Sequence, residues 1–159
     1  MIRLFIDKLG DGHKDLFLKI DLIPAKLIVT DSYYLADFLE LELQIEENIT
    51  HYLALKLLEY WKEILKLVNE KIVFIPFPLS DQYVKGLIVE KNKIGLKINL
   101  AFNQEIQGYS INKSSFNQRV LEVKNSFQII EETQWIISKQ QFAKGINWSI
   151  NEIKSQFTA

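Results

Sequence analysis

The sequence predicts an α+β domain with a mostly antiparallel sheet, one long central helix and a C-terminal helix. Three observations carry that expectation. Two long stretches repeat apolar residues every three or four positions, the spacing of a helix with one buried face. Short apolar runs separated by turn residues fill most of the remainder, as strands do. Strands and helices also come in blocks instead of alternating one for one, which argues against a parallel sheet.

The elements follow in order. Residues 2 to 9 and 14 to 22 are apolar-rich and flank Gly10-Asp11-Gly12-His13. Asp-Gly accepts the positive φ of a tight turn, so the two runs are expected to pair as an antiparallel hairpin. Leu27 to Thr30 is a further short strand after Pro24. From Phe38 the chain alternates, with Leu39, Leu41, Leu43 and Ile45 on one side and Glu40, Glu42, Gln44 and Glu46 on the other. Leucine and glutamate favour helix, but a period of two outweighs propensity here. The expectation is a strand with its leucines inward and its glutamates in water. Asn48 or Thr50 then caps a helix reaching about Asn69, whose stripe is Leu53, Leu57, Tyr60 or Trp61, Ile64, Leu65 and Val68. Lys56, Glu59, Lys62, Glu63 and Lys66 lie on its outer side as ordinary solvated neighbours.

Four strand-like runs come next: Ile72 to Phe77, Tyr83 to Glu90, Ile94 to Phe102 and Glu105 to Ile111. Lys91-Asn92-Lys93 joins the second to the third as a tight hairpin, and Pro76 with Pro78 is expected to end the first. Gly86, Gly95 and Gly108 inside these runs mark bulges or close backbone approach. Arg119 to Val123 and Phe127 to Ile137 read as two more strands. Ser138, with Gln141 three residues on, forms a capping box that opens the last helix. Phe142, Ile146, Ile150 and Ile153 are its buried stripe, and Gly145 weakens it slightly.

Composition bounds the function. At 159 residues, 48% of them apolar, the chain reads as one globular domain, 1–159. A domain of that size buries roughly 70% of the surface its unfolded chain exposes. The absence of cysteine excludes disulfides, thiolate metal sites and cysteine nucleophiles, and suits a cytoplasmic setting. The first residues, Met-Ile-Arg-Leu-Phe-Ile-Asp, lack the apolar stretch of a signal peptide. No apolar run approaches the roughly 20 residues that span a bilayer, so no membrane association is expected.

Candidate chemistry is sparse. His13 falls in a hairpin turn and His51 in the first turn of a helix, whereas a metal site needs ligands that converge. Asp11-Gly12-His13-Lys14-Asp15 lacks the ligand spacing of a calcium loop and its terminal glutamate. Glu122-Val123-Lys124 has the Glu-x-Lys pattern of some nucleases, yet Glu152-Ile153-Lys154 repeats it on a predicted helix, as chance would. There is no Gly-rich phosphate loop, no nucleophile elbow and no kinase signature. No catalytic residue, metal or organic cofactor is therefore expected, and the chain is not read as an enzyme. Lys85, Lys91, Lys93, Lys97, Lys113, Arg119 and Lys124 make one segment basic. A pI near 6.1 and two arginines in all argue against direct contact with nucleic acid. Those lysines instead keep an exposed sheet face and its hairpin edge from aggregating.

Charge is the most informative feature. Between Asp31 and Glu70 nine carboxylates face three lysines, a local net of −6, whereas residues 71 to 128 carry eight cations and four anions, a net of +4. A face of one sign steers partners of the other. The candidate partner-binding residues are Asp31, Tyr33, Tyr34, Asp37, Glu40, Glu42, Glu46 and Glu47. The tyrosines, with Phe38, serve either as aromatic anchors or as core. Glutamates on an outer face are often merely solvated, and a row of them costs a little stability through mutual repulsion. A basic partner would offset that cost.

Three stretches carry a likeness to a known group: Phe74-Ile-Pro-Phe-Pro-Leu-Ser-Asp-Gln-Tyr83-Val-Lys-Gly-Leu-Ile-Val-Glu90, Gly108-Tyr-Ser-Ile-Asn-Lys-Ser-Ser115, and Ile137-Ser-Lys-Gln-Gln-Phe142. They resemble small bacterial immunity proteins encoded beside polymorphic toxins, of the contact-dependent inhibition and Rhs-type systems. The likeness spans roughly residues 50 to 155, so the acidic first third lies largely outside it. It implies a cytosolic protein that blocks a cognate toxin domain, commonly a basic nuclease, by stoichiometric occlusion, with no catalytic residue to carry over. A carboxylate row would then mimic the phosphate path. Within the matched region, Ser80-Asp81-Gln82 reads as a turn in which Asp81 accepts backbone hydrogen bonds. From another class, the alternatives are an orphan enzyme or small-ligand-binding protein with an apolar pocket between helix and sheet. A structural subunit of a larger assembly is the third.

Overall fold

A computed structural model describes residues 1–7, 13–21, 27–42, 48–130 and 134–157. Along the chain run β1 (Ile2–Ile6), β2 (Leu16–Ile20), β3 (Leu27–Thr30), α1 (Leu35–Leu39) and α2 (Ile49–Lys66). Then come β4 (Val73–Leu79), β5 (Val84–Asn92), β6 (Gly95–Asn103), α3 (Lys113–Glu122), β7 (Gln128–Ile129), β8 (Trp135–Ile137) and α4 (Lys139–Phe157). Helices and antiparallel sheets together make the α+β class, with the long central helix and the C-terminal helix where the apolar stripes put them.

The first sheet has the order β1-β2-β3. Its hairpin register, Ile2↔Ile20, Leu4↔Leu18 and Ile6↔Leu16, aligns one apolar row, and Leu16↔Thr30 continues it onto β3. Ile2, Leu4, Leu16, Leu18 and Ile20 are all buried. Helix α4 closes the outer side of β1. A Cβ on Gly145 would stand 2.2 Å from the Ile2 carbonyl oxygen, so only glycine lets the helix come this near. One turn on, buried Ser149 accepts the Leu4 N–H at 2.9 Å and donates to the Gly145 carbonyl at 2.9 Å. The weak helix former is thus the condition for the contact. The Ser138–Gln141 capping box forms at the start of α4, with both reciprocal bonds made.

Helix α2 packs on α4, α1, β1 and β4, and its Trp61 meets Phe77 of β4 edge-on at 5.9 Å. It begins at Asn48, which sits at φ 76° and makes no side-chain cap. Thr50, the other expected cap, donates to Asp15 instead, at 3.2 Å.

The second sheet runs β4-β5-β6-β7, with β8 also on β6. β5 and β6 pair from Val84↔Asn103 to Asn92↔Gly95, so the tight turn is Lys93-Ile94 and not Lys91-Asn92-Lys93. Pro76 and Pro78 do not end the first strand: β4 continues through both, with a cis Phe77–Pro78 bond and a register shift between Pro76 and Leu79. β4 is the edge of this sheet, where a residue lacking N–H forfeits no ladder bond on its outer side. Close approach is confirmed at Gly86, where a Cβ would lie 2.0 Å from the Ile75 carbonyl oxygen. Every residue of β4 is buried, because Phe77 meets α2 while Phe74 packs on Phe116 of α3 and on Phe127.

Three expectations are corrected. The strand from Phe38 is absent over its described part. Residues Leu35–Leu39 are helical, Glu40 ends the helix at φ 56°, and Leu43, Gln44, Ile45 and Glu46 of the expected row lie outside the described residues. Leu35, Phe38 and Leu39 stand at helical spacing and bury one face, which wins over an alternation that starts only at Leu39. Glu105–Ile111 is not a strand, because Asn103 accepts the Glu105 N–H at 2.7 Å and turns the chain, leaving Ile106 and Ile111 to plug the core from a loop. Arg119–Val123 is the end of helix α3 and its C-cap, not a strand. Asn112 and Ser115 cap α3 reciprocally, and Phe116 inserts between Phe38 and Phe74.

Candidate functional site

The described acidic residues singled out by sequence fall into two places, one before α1 and one on α1 and just after it. Asp31 follows β3 directly, and the two residues before Asp15 contact it. Lys14, held at φ 52°, donates its N–H to Asp31 Oδ1 at 2.6 Å, and His13 Nδ1 lies 3.3 Å from Oδ2. The next residue, Ser32, is anchored by a carboxylate that the sequence raised only within a rejected calcium loop. Asp15 is fully buried, and it accepts the Ser32 N–H at 2.8 Å and the Ser32 hydroxyl at 2.6 Å beside the Thr50 bond. A buried charge costs far less when such donors satisfy it. Together the two aspartates fix the loop that carries the tyrosines.

Tyr33 is 64% exposed, stacked on His13 at 5.8 Å and edge-on to Tyr34 at 5.1 Å. Tyr34 reaches across to the β4–β5 turn and donates its hydroxyl to Asp81. That bond to a carboxylate favours the neutral phenol and pushes its pKa up to about 12. The sequence suggested that Asp81 accepts the turn's backbone bonds, but among the described residues the side chain that makes them is Ser80. Ser80 makes that turn: its Oγ accepts from the Tyr83 and Gln82 N–H groups and donates to the Tyr83 carbonyl.

The second place holds Asp37, Glu40 and Glu42, all exposed. Glu40 is structural as well as acidic. Its carboxylate accepts both the hydroxyl and the N–H of Ser114, in the first turn of α3, where the helix dipole favours an anion. Phe38 is core, fully buried between Tyr60 at 5.4 Å and Phe116 at 5.5 Å, and so is no partner anchor. Glu46 and Glu47 lie outside the described residues. On α2, Glu59 pairs with Lys56 at 2.9 Å, which neutralises part of the charge counted there.

Beside Asp31 the two sheets leave a gap. β3 lies against β4 without a ladder between them, and the cleft there measures about 390 Å³. Val29, Thr30 and Asp31 form one wall and Pro78, Leu79 and Ser80 the other, with Lys14 and Tyr83 completing the lining. A second, smaller cleft of about 240 Å³ shares Tyr83 and is lined by Lys85, Phe102, Gln104 and Ile130. Neither matches the helix-and-sheet pocket expected under the alternative reading. No three His, Asp or Glu side chains gather as metal ligands among the described residues, and no helix there is long and apolar enough to cross a membrane. No protein-family model, curated protein or solved structure matches the chain.

Proposed function

We propose that the protein is a stoichiometric binding protein that occludes a basic protein partner, in the manner of the immunity proteins its sequence resembles. The observation that carries this reading is the exposed Tyr33, braced by His13 and Tyr34 and framed by Asp31 and Asp81. Aromatic side chains held rigidly at a surface are what binding hot spots use, and flanking charge selects the sign of the partner. Asp37 on α1 and Glu42 after it add exposed carboxylates to the acidic surface. A nuclease domain, whose own surface must grip phosphate, has the matching sign.

The test is co-purification of the partner at low ionic strength, followed by association kinetics and by rescue of growth in cells producing it. Glu40 is unsuitable for charge reversal because it also holds α3. Asp37→Lys with Glu42→Lys is expected to slow association about tenfold at low salt, with the difference shrinking towards about 0.5 M salt. Lys91→Glu with Lys93→Glu at the far hairpin leaves the rate nearly unchanged. A partner that is indifferent to the acidic reversals, or that binds without stopping its toxicity, removes this reading.

A further inference from the structure

We infer that the basic partner lays an arginine-bearing segment over the β4–β5 turn, with guanidinium groups against Tyr33 and Tyr109, an inference that rests on the binding-protein reading above. Tyr109 and Tyr33 are the two most exposed aromatic side chains among the described residues, at 66% and 64%. They are far apart in sequence, yet their loops are fastened to adjacent residues of one turn. On one side Tyr34 bonds Asp81. On the other, Gly108 donates its N–H to the Ser80 carbonyl at 2.7 Å, and a Cβ on Gly108 would stand 2.9 Å from the Ser80 nitrogen, so a side chain there would lift the loop. The turn Gly108–Ser110 also lies against α1. Each loop is held by bonds of its own: Ser110 donates its N–H and its hydroxyl to the Gln107 carbonyl, and Ser32 is bound to Asp15. Rings carried on loops already fixed in this way meet a partner at little further cost in ordering.

Other rings of the molecule show what such faces take. Tyr52 has the Lys56 ammonium 5.7 Å from its ring centroid, Tyr83 has that of Lys85 at 5.7 Å, and the Arg3 guanidinium lies 5.4 Å from the Trp148 ring. Among the described residues no lysine or arginine stands over Tyr33 or Tyr109, Lys14 and Lys113 on neighbouring segments included. The carboxylates beside them are in the same condition. Asp81 and Asp37 are exposed, and neither pairs with a lysine or arginine among the described residues. A ring face next to a carboxylate favours a cation that addresses both. Arginine does this best, because its flat, weakly hydrated guanidinium stacks on a ring while its N–H fork reaches an acid, whereas an ammonium is a point charge that keeps its water. An acidic segment would meet like charge here. An apolar one would strip water from Asp37 and Asp81 and give them no partner.

The experiment is an amide-resolved NMR titration of the full chain at low ionic strength with acetyl-tetra-arginine amide, run beside acetyl-tetra-lysine amide, which carries the same charge. Saturable shifts centred on Tyr33, Asp81 and Tyr109 are expected, with the arginine peptide bound at least about threefold more tightly. Tyr33→Leu and Tyr109→Leu keep apolar bulk and remove the ring, so each should weaken the arginine peptide about threefold, while Tyr109→Phe preserves its binding. Tyr52→Leu is the control and should change nothing, since that ring already carries Lys56. Shifts that never saturate, or that centre on Glu59 and Glu63 of α2, overturn the inference. So does equal affinity for the two peptides, or indifference to both Tyr33→Leu and Tyr109→Leu. The peptides stand in for no particular partner, so this titration can fail while the charge-reversal kinetics succeed. A partner indifferent to Asp37 and Glu42 would remove the occlusion reading and leave the arginine preference of the surface measurable.

Discussion

The two edges of the first sheet are closed in different ways. At β1 a helix comes down onto the backbone itself, with Gly145 against the Ile2 carbonyl and Ser149 taking the Leu4 N–H. At β3 the neighbour is another strand edge, β4, which lies close without pairing and leaves the cleft beside Thr30. Both arrangements protect an edge that would otherwise invite a foreign strand. They differ in what they leave over. The sealed edge is joined to its helix through backbone and Ser149, whereas the loose one carries a buried hydroxyl without a partner among the described residues, a partly exposed aspartate and an exposed tyrosine nearby. The first edge is fastened by direct backbone contact, and the second leaves open space beside charged and aromatic side chains.

That contrast can be broken at either edge, and the largest effect belongs to Gly145→Ala. In a free helix the change would help by about 1 kcal/mol. Here the new methyl meets backbone and α4 must back away, so a net loss of about 3 kcal/mol is expected from urea unfolding followed by tryptophan fluorescence. A neutral or stabilising result would show that the helix is not seated on β1. Ser149→Ala comes next, since it leaves the buried Leu4 N–H without an acceptor, at a cost of about 1.5 kcal/mol in the same assay.

At the loose edge the expected effects are small. Thr30→Val should hold stability within about 0.5 kcal/mol or raise it slightly, because it replaces a hydroxyl that has no partner by an apolar group of the same shape. A loss comparable to that of Ser149→Ala would mean that the hydroxyl is satisfied and the two edges are alike. Tyr34→Phe is the smallest change and is visible mainly through pH. The unfolded phenol titrates near 10 and the folded one near 12, so the Tyr34–Asp81 bond contributes fully below about pH 10 and is lost as pH rises through 12. Stability curves of the wild type and Tyr34→Phe should converge across that window, and curves that stay parallel would deny the bond.

Much of the framework was legible in the residues. The stripes of α2 and α4, the Ser138–Gln141 box, the first hairpin and the β5–β6 pair are all local patterns whose period or turn chemistry needs no partner. α1 left a signal that a longer alternation masked, the i, i+3, i+4 spacing of Leu35, Phe38 and Leu39. α3 was hidden because Arg119 to Val123 looks β-like by composition, although Asn112 and Ser115 announce a helix start. The candidate site was legible only in part. Asp31, Tyr33 and Tyr34 do stand together, but Glu40 proves to brace α3, and Phe38 is core. Asp15 drew notice only within a rejected calcium loop and Asp81 only as a turn acceptor, since their partners Ser32 and Tyr34 lie 17 and 47 positions away in sequence.

By itself, then, the sequence determined the periodic elements, the α+β class and the uneven distribution of charge, because hydrophobic period and composition act within a few residues of chain. Tertiary structure alone decided which carboxylates are spent on the fold and which remain at the surface, and which edge is sealed. Those outcomes depend on distance in space: on whether Gly145 meets Ile2, Glu40 meets Ser114 and Tyr34 meets Asp81, or, as at Thr30, on a polar group meeting nothing.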